Sequence, residues 1–179
     1  MGLITPPKPT KLIAGLLIHH PENNRERLFK RLSEQFGPID ETAGGHIFDK
    51  TDYYEKEMGA PLYRYFISFD RLVPPDALPE IKLATNQMEL EFLNEHGGRA
   101  VNIDPGILTL QNFVLATTKN YTHRIYLGQG IYADLTLIFQ KGKYQSLPWT
   151  YPDYRDEETH DFLLTVREIY KNQIKGITP

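Results

Sequence analysis

Residues Lys11–Ile18 read KLIAGLLI, and no other stretch limits the possible folds as strongly. A half-solvated strand alternates apolar and polar side chains. A short apolar run suits a strand covered on both faces instead. Such a strand needs packing layers on two sides of its sheet. Directly after it, Pro21 and Glu22 open a predicted helix with Leu28, Phe29, Leu32 and Phe36 on one side, closed by Gly37 and Pro38. The turn between them, Ile18-His19-His20-Pro21, has no glycine cradle.

Further along, Tyr63–Phe69 (YRYFISF) is rich in β-formers and reads as a strand. Glu41–Gly59 is ambiguous: a short strand at His46–Phe48, then a loop with a helical turn. A helix is expected from Ala77 to His96, stopped by Gly97-Gly98. Ala100–Ile103 is expected as a short strand ended by an Asp104-Pro105-Gly106 turn, and Leu108–Thr118 as a helix. A meander follows, with Tyr121–Leu127 and Ile131–Gln140 joined at Gly128-Gln129-Gly130 and leading to Tyr144–Leu147. The last helix is expected over Glu157–Ile174, capped by Asp156. The expected class is a single α+β domain over residues 11–179: a mixed, largely antiparallel sheet with a C-terminal β-meander, packed by about three to four helices. Met1–Thr10, with its three prolines, reads as an extended arm.

The 179 residues suit one domain. Without cysteine there are no disulfides, thiolate metal sites or Cys nucleophiles. Lys+Arg 20 against Asp+Glu 23 gives a net charge of −3, which argues against a protein that coats nucleic acid. No apolar run approaches the ~20 residues of a membrane span, so no membrane partner is expected and a cytoplasmic location is. The Walker, GxGxxG, HExxH and GxSxG motifs are absent.

Three constellations carry candidate chemistry. In the meander, a three-residue loop pairs Leu127 with Ile131, Ile125 with Ala133 and His123 with Leu135. The opposite face then carries Arg124 across from Asp134 and Tyr126 across from Tyr132. That face is either an ordinary solvated surface or the wall of a site, and His123 reads first as a core or boundary residue. On the long helix, Lys82, Asn86 and Glu89 form a polar band between apolar flanks. A partly buried polar band needs partners, either within itself or in a ligand. Asn102 and Asp104 point the same way on an extended chain, ahead of Pro105-Gly106, as either a plain turn or a site at a strand end.

Several segments together resemble one uncharacterised prokaryotic family, domain-of-unknown-function family 4416. They are KLIAGLL (11–17), FGPID (36–40), TDYYEKEMG (51–59), EIKLATNQMELE (80–91), VNIDPGILT (101–109), LATTKNYTHRIYLGQGIYADLTL (115–137) and PWTYPDYR (148–155). The resemblance spans nearly the whole chain. It implies a standalone single-domain protein and supplies no activity or catalytic residue.

The functional expectation is a small-molecule ligand, specifically a phosphorylated compound or nucleotide bound or acted upon with Mg2+. Lys82, Lys119, Arg124 and Arg155 could neutralise phosphate. Asp104, with Asp52 or Glu89, could hold the metal while Arg124 meets developing charge. Asn86, Asn102, His123 and Asp134 could complete the site, with Tyr53, Tyr54, Trp149 and Tyr151 as a stacking wall. The first alternative is a non-catalytic interaction module using the aromatic loops. The second is RNA binding on the meander, which the acidic Asp134 disfavours.

Overall fold

The computed structural model describes residues 2–177. β1 (Thr10–His19) is buried along nearly its full length, as its apolar run requires. α1 (Pro21–Phe36) follows, and the Gly37 N–H, at a positive φ, closes it on the Ser33 carbonyl. Then come β2 (Ile39–Ile47), a one-turn α2 (Glu55–Met58), β3 (Leu62–Val73) and α3 (Leu78–Glu89). The second half contains β4 (Val101–Leu108), β5 (Asn112–Thr117), β6 (Arg124–Gly128), β7 (Ile131–Gln140), β8 (Lys143–Ser146) and α4 (Glu157–Gln173). Gly2–Pro9 carries no secondary structure; Met1 and residues 178–179 lie outside the described residues.

The eight strands form one sheet, ordered β2-β3-β1-β4-β5-β7-β6, with β8 also on β7. Each of these pairings is antiparallel. On one face Leu12, Ala14, Leu16 and Ile18 of β1 pack against Leu28, Leu32 and Phe36 of α1 and Ile81 and Met88 of α3. On the other, Ile13 and Phe66 meet Phe162, Leu163, Val166 and Tyr170 of α4. Leu17 packs there with Met58 of α2 and Leu62. The chain is therefore a single α+β domain with a covered central strand.

Several expected elements change. Leu108–Thr118 is not a helix: Leu108 ends β4, and Asn112–Thr117 is β5, folded back on it. The Thr109 hydroxyl accepts from the Gln111 and Asn112 N–H groups, and this local turn reverses the chain into a hairpin. The Asp104-Pro105-Gly106 turn is absent too, since all three residues continue β4 opposite Gly15, Ala14 and Ile13. The long helix stops at Glu89. A few residues on, Asn94 accepts from the His96 and Gly98 N–H groups, a turn in which Leu93 bridges Arg99. Asp156 precedes α4 but makes no side-chain cap; its carboxylate holds Lys50.

In the meander, Arg124–Asp134, Tyr126–Tyr132 and Ile125–Ala133 pair as expected. The loop is shorter, however: Gly128 opposes Ile131, Gln129 and Gly130 take positive φ, and Leu127 falls at an irregularity. His123 lies before β6 and has no strand partner. The polar face turns inward at Arg124 and Asp134, while Tyr126 on the same face and Ile125 on the other stay exposed.

Candidate functional site

β4 and β5 pair only from Gly106–Leu115 to Leu108–Phe113, and beyond that the two strands fork. Pro105 explains the stop. It faces the same edge as Ile103, two residues away, and has no N–H to offer β5. The polar band of α3 fills the place of the missing strand. The Lys82 ammonium donates to the Ile103 carbonyl at 2.7 Å, and the Glu89 carboxylate accepts from the Ile103 N–H at 2.6 Å. The band thus pairs with a backbone edge rather than with itself. Both side chains are buried, as is Asn102 beside them.

Above this fork lies a cavity of about 540 Å³, within the ~300–1,000 Å³ common for small-molecule sites. Lys82, Asn86 and Glu89 of α3, Asn102 and Asp104 of β4, and Asp134 of β7 line it. So do Lys119 after β5 and Tyr151 from the proline-rich loop, with Tyr53 and Tyr54 at its rim. Residues far apart in the sequence therefore share one hollow. Arg124 stands just behind the wall. Its Nε donates to Asp134 at 2.9 Å, Nη2 to the Tyr151 hydroxyl at 2.7 Å and Nη1 to the Lys119 carbonyl at 2.8 Å. His123 contacts Asp134 from the same side at 3.2 Å and stacks on Trp149 with ring centres 4.7 Å apart.

Three candidates lie elsewhere. Arg155 donates to the Thr150 and Pro148 carbonyls and so pins its own loop. Trp149 gives its indole N–H to the Leu135 carbonyl and does not line the cavity. Asp52 is exposed and borders a separate shallow depression with Asp49 and Glu55, because the segment before α2 carries it away from Asp104. Among the described residues, no group of three His, Asp or Glu side chains converges as a metal cage. The sequence reading missed Arg64, Arg99, Asp153 and Lys50, all of which border the cavity. Arg64 was visible as the lone charge inside YRYFISF; Arg99 and Asp153 carried no local signal.

Most charges at the cavity are paired. Arg64 binds Asp153, and Arg99 binds Glu57 at 2.6 Å and Glu89 at 2.5 Å. Asp134 holds Arg124 and His123, and Lys50 holds Asp156 at 3.1 Å. Three groups are left with incomplete pairing. Lys119 meets only the hydroxyl of Tyr53, at 2.8 Å, and the face of its ring. Lys82 has its carbonyl and a long 3.5 Å approach to Asp104. Asp104 accepts from the Asn102 amide at 2.8 Å, and its side chain stays 28% exposed to the cavity. Burial, then the charge of Asp104, pushes the Tyr54 hydroxyl well above its ordinary value, so it stays protonated. Burial likewise raises Tyr151 against the pull of Arg124. Burial also raises the Glu89 carboxyl, opposed by Lys82, the Ile103 N–H and Arg99.

The fold and cavity define a single-domain α+β protein with a cavity lined by polar and charged side chains in a forked antiparallel sheet. The chain belongs to the family described as domain of unknown function DUF4416, whose model matches residues 8–170. Neither the comparison with curated proteins nor that with solved structures gives a match. No helix among the described residues is long and apolar enough to cross a membrane.

Proposed function

We propose that the cavity binds a small phosphorylated molecule. The observation that carries this reading is the pair of lysines, Lys82 and Lys119, that line one hollow with incomplete pairing: Lys82 reaches a carboxylate only at 3.5 Å, and Lys119 meets only a phenol. A phosphoryl group supplies the missing negative charge, and charge-assisted hydrogen bonds are about twice as strong as neutral ones. The protonated Tyr54 hydroxyl adds a neutral donor at the rim. Asp104 is the cavity carboxylate with the most accessible oxygen, so it is the natural ligand for a Mg2+ ion arriving with the phosphate.

Thermal-shift and calorimetric titration with phosphorylated compounds, with and without Mg2+, tests the proposal. A ligand at 100 times its Kd stabilises the fold by about 2.7 kcal/mol. Lys119 is exposed and bonded only to Tyr53, so Lys119→Ala is expected to keep the fold and weaken binding at least tenfold. If no phosphorylated compound raises the melting temperature or releases heat, the reading is wrong.

The interaction-module alternative gains little from the aromatic loop. Trp149 is 38% exposed, but its indole N–H and one ring face are already used within the fold.

A further inference from the structure

Building on the phosphate reading, we propose that the ligand also presents vicinal hydroxyls, as a phosphorylated sugar does, to Asp104 and Asn86. Asp104 is an acceptor with about four lone-pair positions on its carboxylate. One is taken by the Asn102 amide at 2.8 Å, and the Lys82 contact at 3.5 Å is too long for a good hydrogen bond. Its remaining positions select hydrogen-bond donors. Asn86 sits one turn of α3 beyond Lys82, lines the same cavity, and makes no side-chain hydrogen bond among the described residues. Its amide offers both a donor and an acceptor.

A hydroxyl needs that combination, because it donates to the carboxylate and accepts from the amide. An ammonium group has no acceptor capacity and leaves the Asn86 N–H groups without use. Two hydroxyls on neighbouring carbons match the two oxygens of one carboxylate. The aromatic rim favours a sugar over a flat heterocycle: Tyr53 and Tyr54 meet edge to face at 5.0 Å and 89°, leaving no parallel slot between them. One face of Tyr53 is already covered by the Lys119 ammonium, 4.4 Å from the ring centre.

Isothermal titration of the full chain with three probes tests this: ribose 5-phosphate, 2-deoxyribose 5-phosphate, whose furanose ring keeps no neighbouring pair of hydroxyls, and inorganic phosphate. Ribose 5-phosphate is expected to bind at least tenfold more tightly than its deoxy counterpart. A site built around a hydroxyl rejects an analogue lacking it, because buried polar groups are then left unpaired. Asn86→Ala, checked by circular dichroism, is expected to shrink that preference while leaving the affinity for inorganic phosphate unchanged. If parent and deoxy sugar phosphates bind equally, the diol assignment is overturned and the phosphate reading stands. If none of the three probes binds, both are overturned.

Discussion

The hydroxyl of Tyr154 is buried without a hydrogen-bond partner and presses on the backbone at Gly15. A Cβ built on Gly15 would lie 2.4 Å from that oxygen and 3.2 Å from the Arg64 guanidinium. The glycine is therefore required by close approach, not by backbone angle. Gly15→Ala is expected to cost about 1–3 kcal/mol, the usual penalty for overpacking a core. Removing an unsatisfied buried hydroxyl loses no hydrogen bond, so Tyr154→Phe is expected to be neutral or stabilising. In the double variant the clash with the hydroxyl is relieved, and part of the stability lost to the alanine is expected to be regained. Urea unfolding of the three variants measures each term. No feature of KLIAGLLI marked Gly15 for this role, since the partner lies 139 positions away in the loop before α4.

At the scale of elements, α3 acts partly as a strand substitute. Lys82→Met leaves the Ile103 carbonyl without its donor and Asp104 without its neighbouring cation, while Glu89 keeps Arg99 alone. The expected cost is about 1–3 kcal/mol, read as a lower urea midpoint at unchanged slope. Lys50→Met, which breaks the half-exposed pair with Asp156, is expected to change stability by less than about 1 kcal/mol. The same element shows how far sequence reasoning reached. Helical spacing placed Lys82, Asn86 and Glu89 on one buried band, and the extended periodicity placed Asn102 and Asp104 together. Both inferences follow from local geometry. Their partners depend on where β5 leaves β4, which is a tertiary matter. β5 itself was misread because Leu108–Thr118 is a short apolar segment, whose periodicity does not separate strand from helix. Asp52 and Arg155 carried suitable chemistry, but the direction of a loop is set by the surfaces it packs on.

For the whole molecule, the sheet joins two cores that lie on opposite faces of β1. Fully buried Lys11 on β1 binds Asp40 of β2 and Gln173 of α4, the latter at 2.9 Å. Asp40 also accepts from Ser68 of β3 at 2.6 Å. These links leave no seam along which half the chain could melt alone. Circular dichroism and the fluorescence of Trp149, the sole tryptophan, are expected to report one coincident urea transition. Two separated transitions would show that the halves unfold independently.

The carboxylate that stands in for a strand at Ile103 has a spectroscopic consequence. An amide proton shared with a charged oxygen at 2.6 Å is deshielded beyond its neighbours in an ordinary ladder, where carbonyls accept. Its resonance should stand apart, downfield, in a simple proton spectrum. Because Glu89 and Lys82 hold the N–H and the carbonyl of Ile103, the two peptide groups that flank it, an occupant that tugs on either side chain is expected to move that one isolated peak.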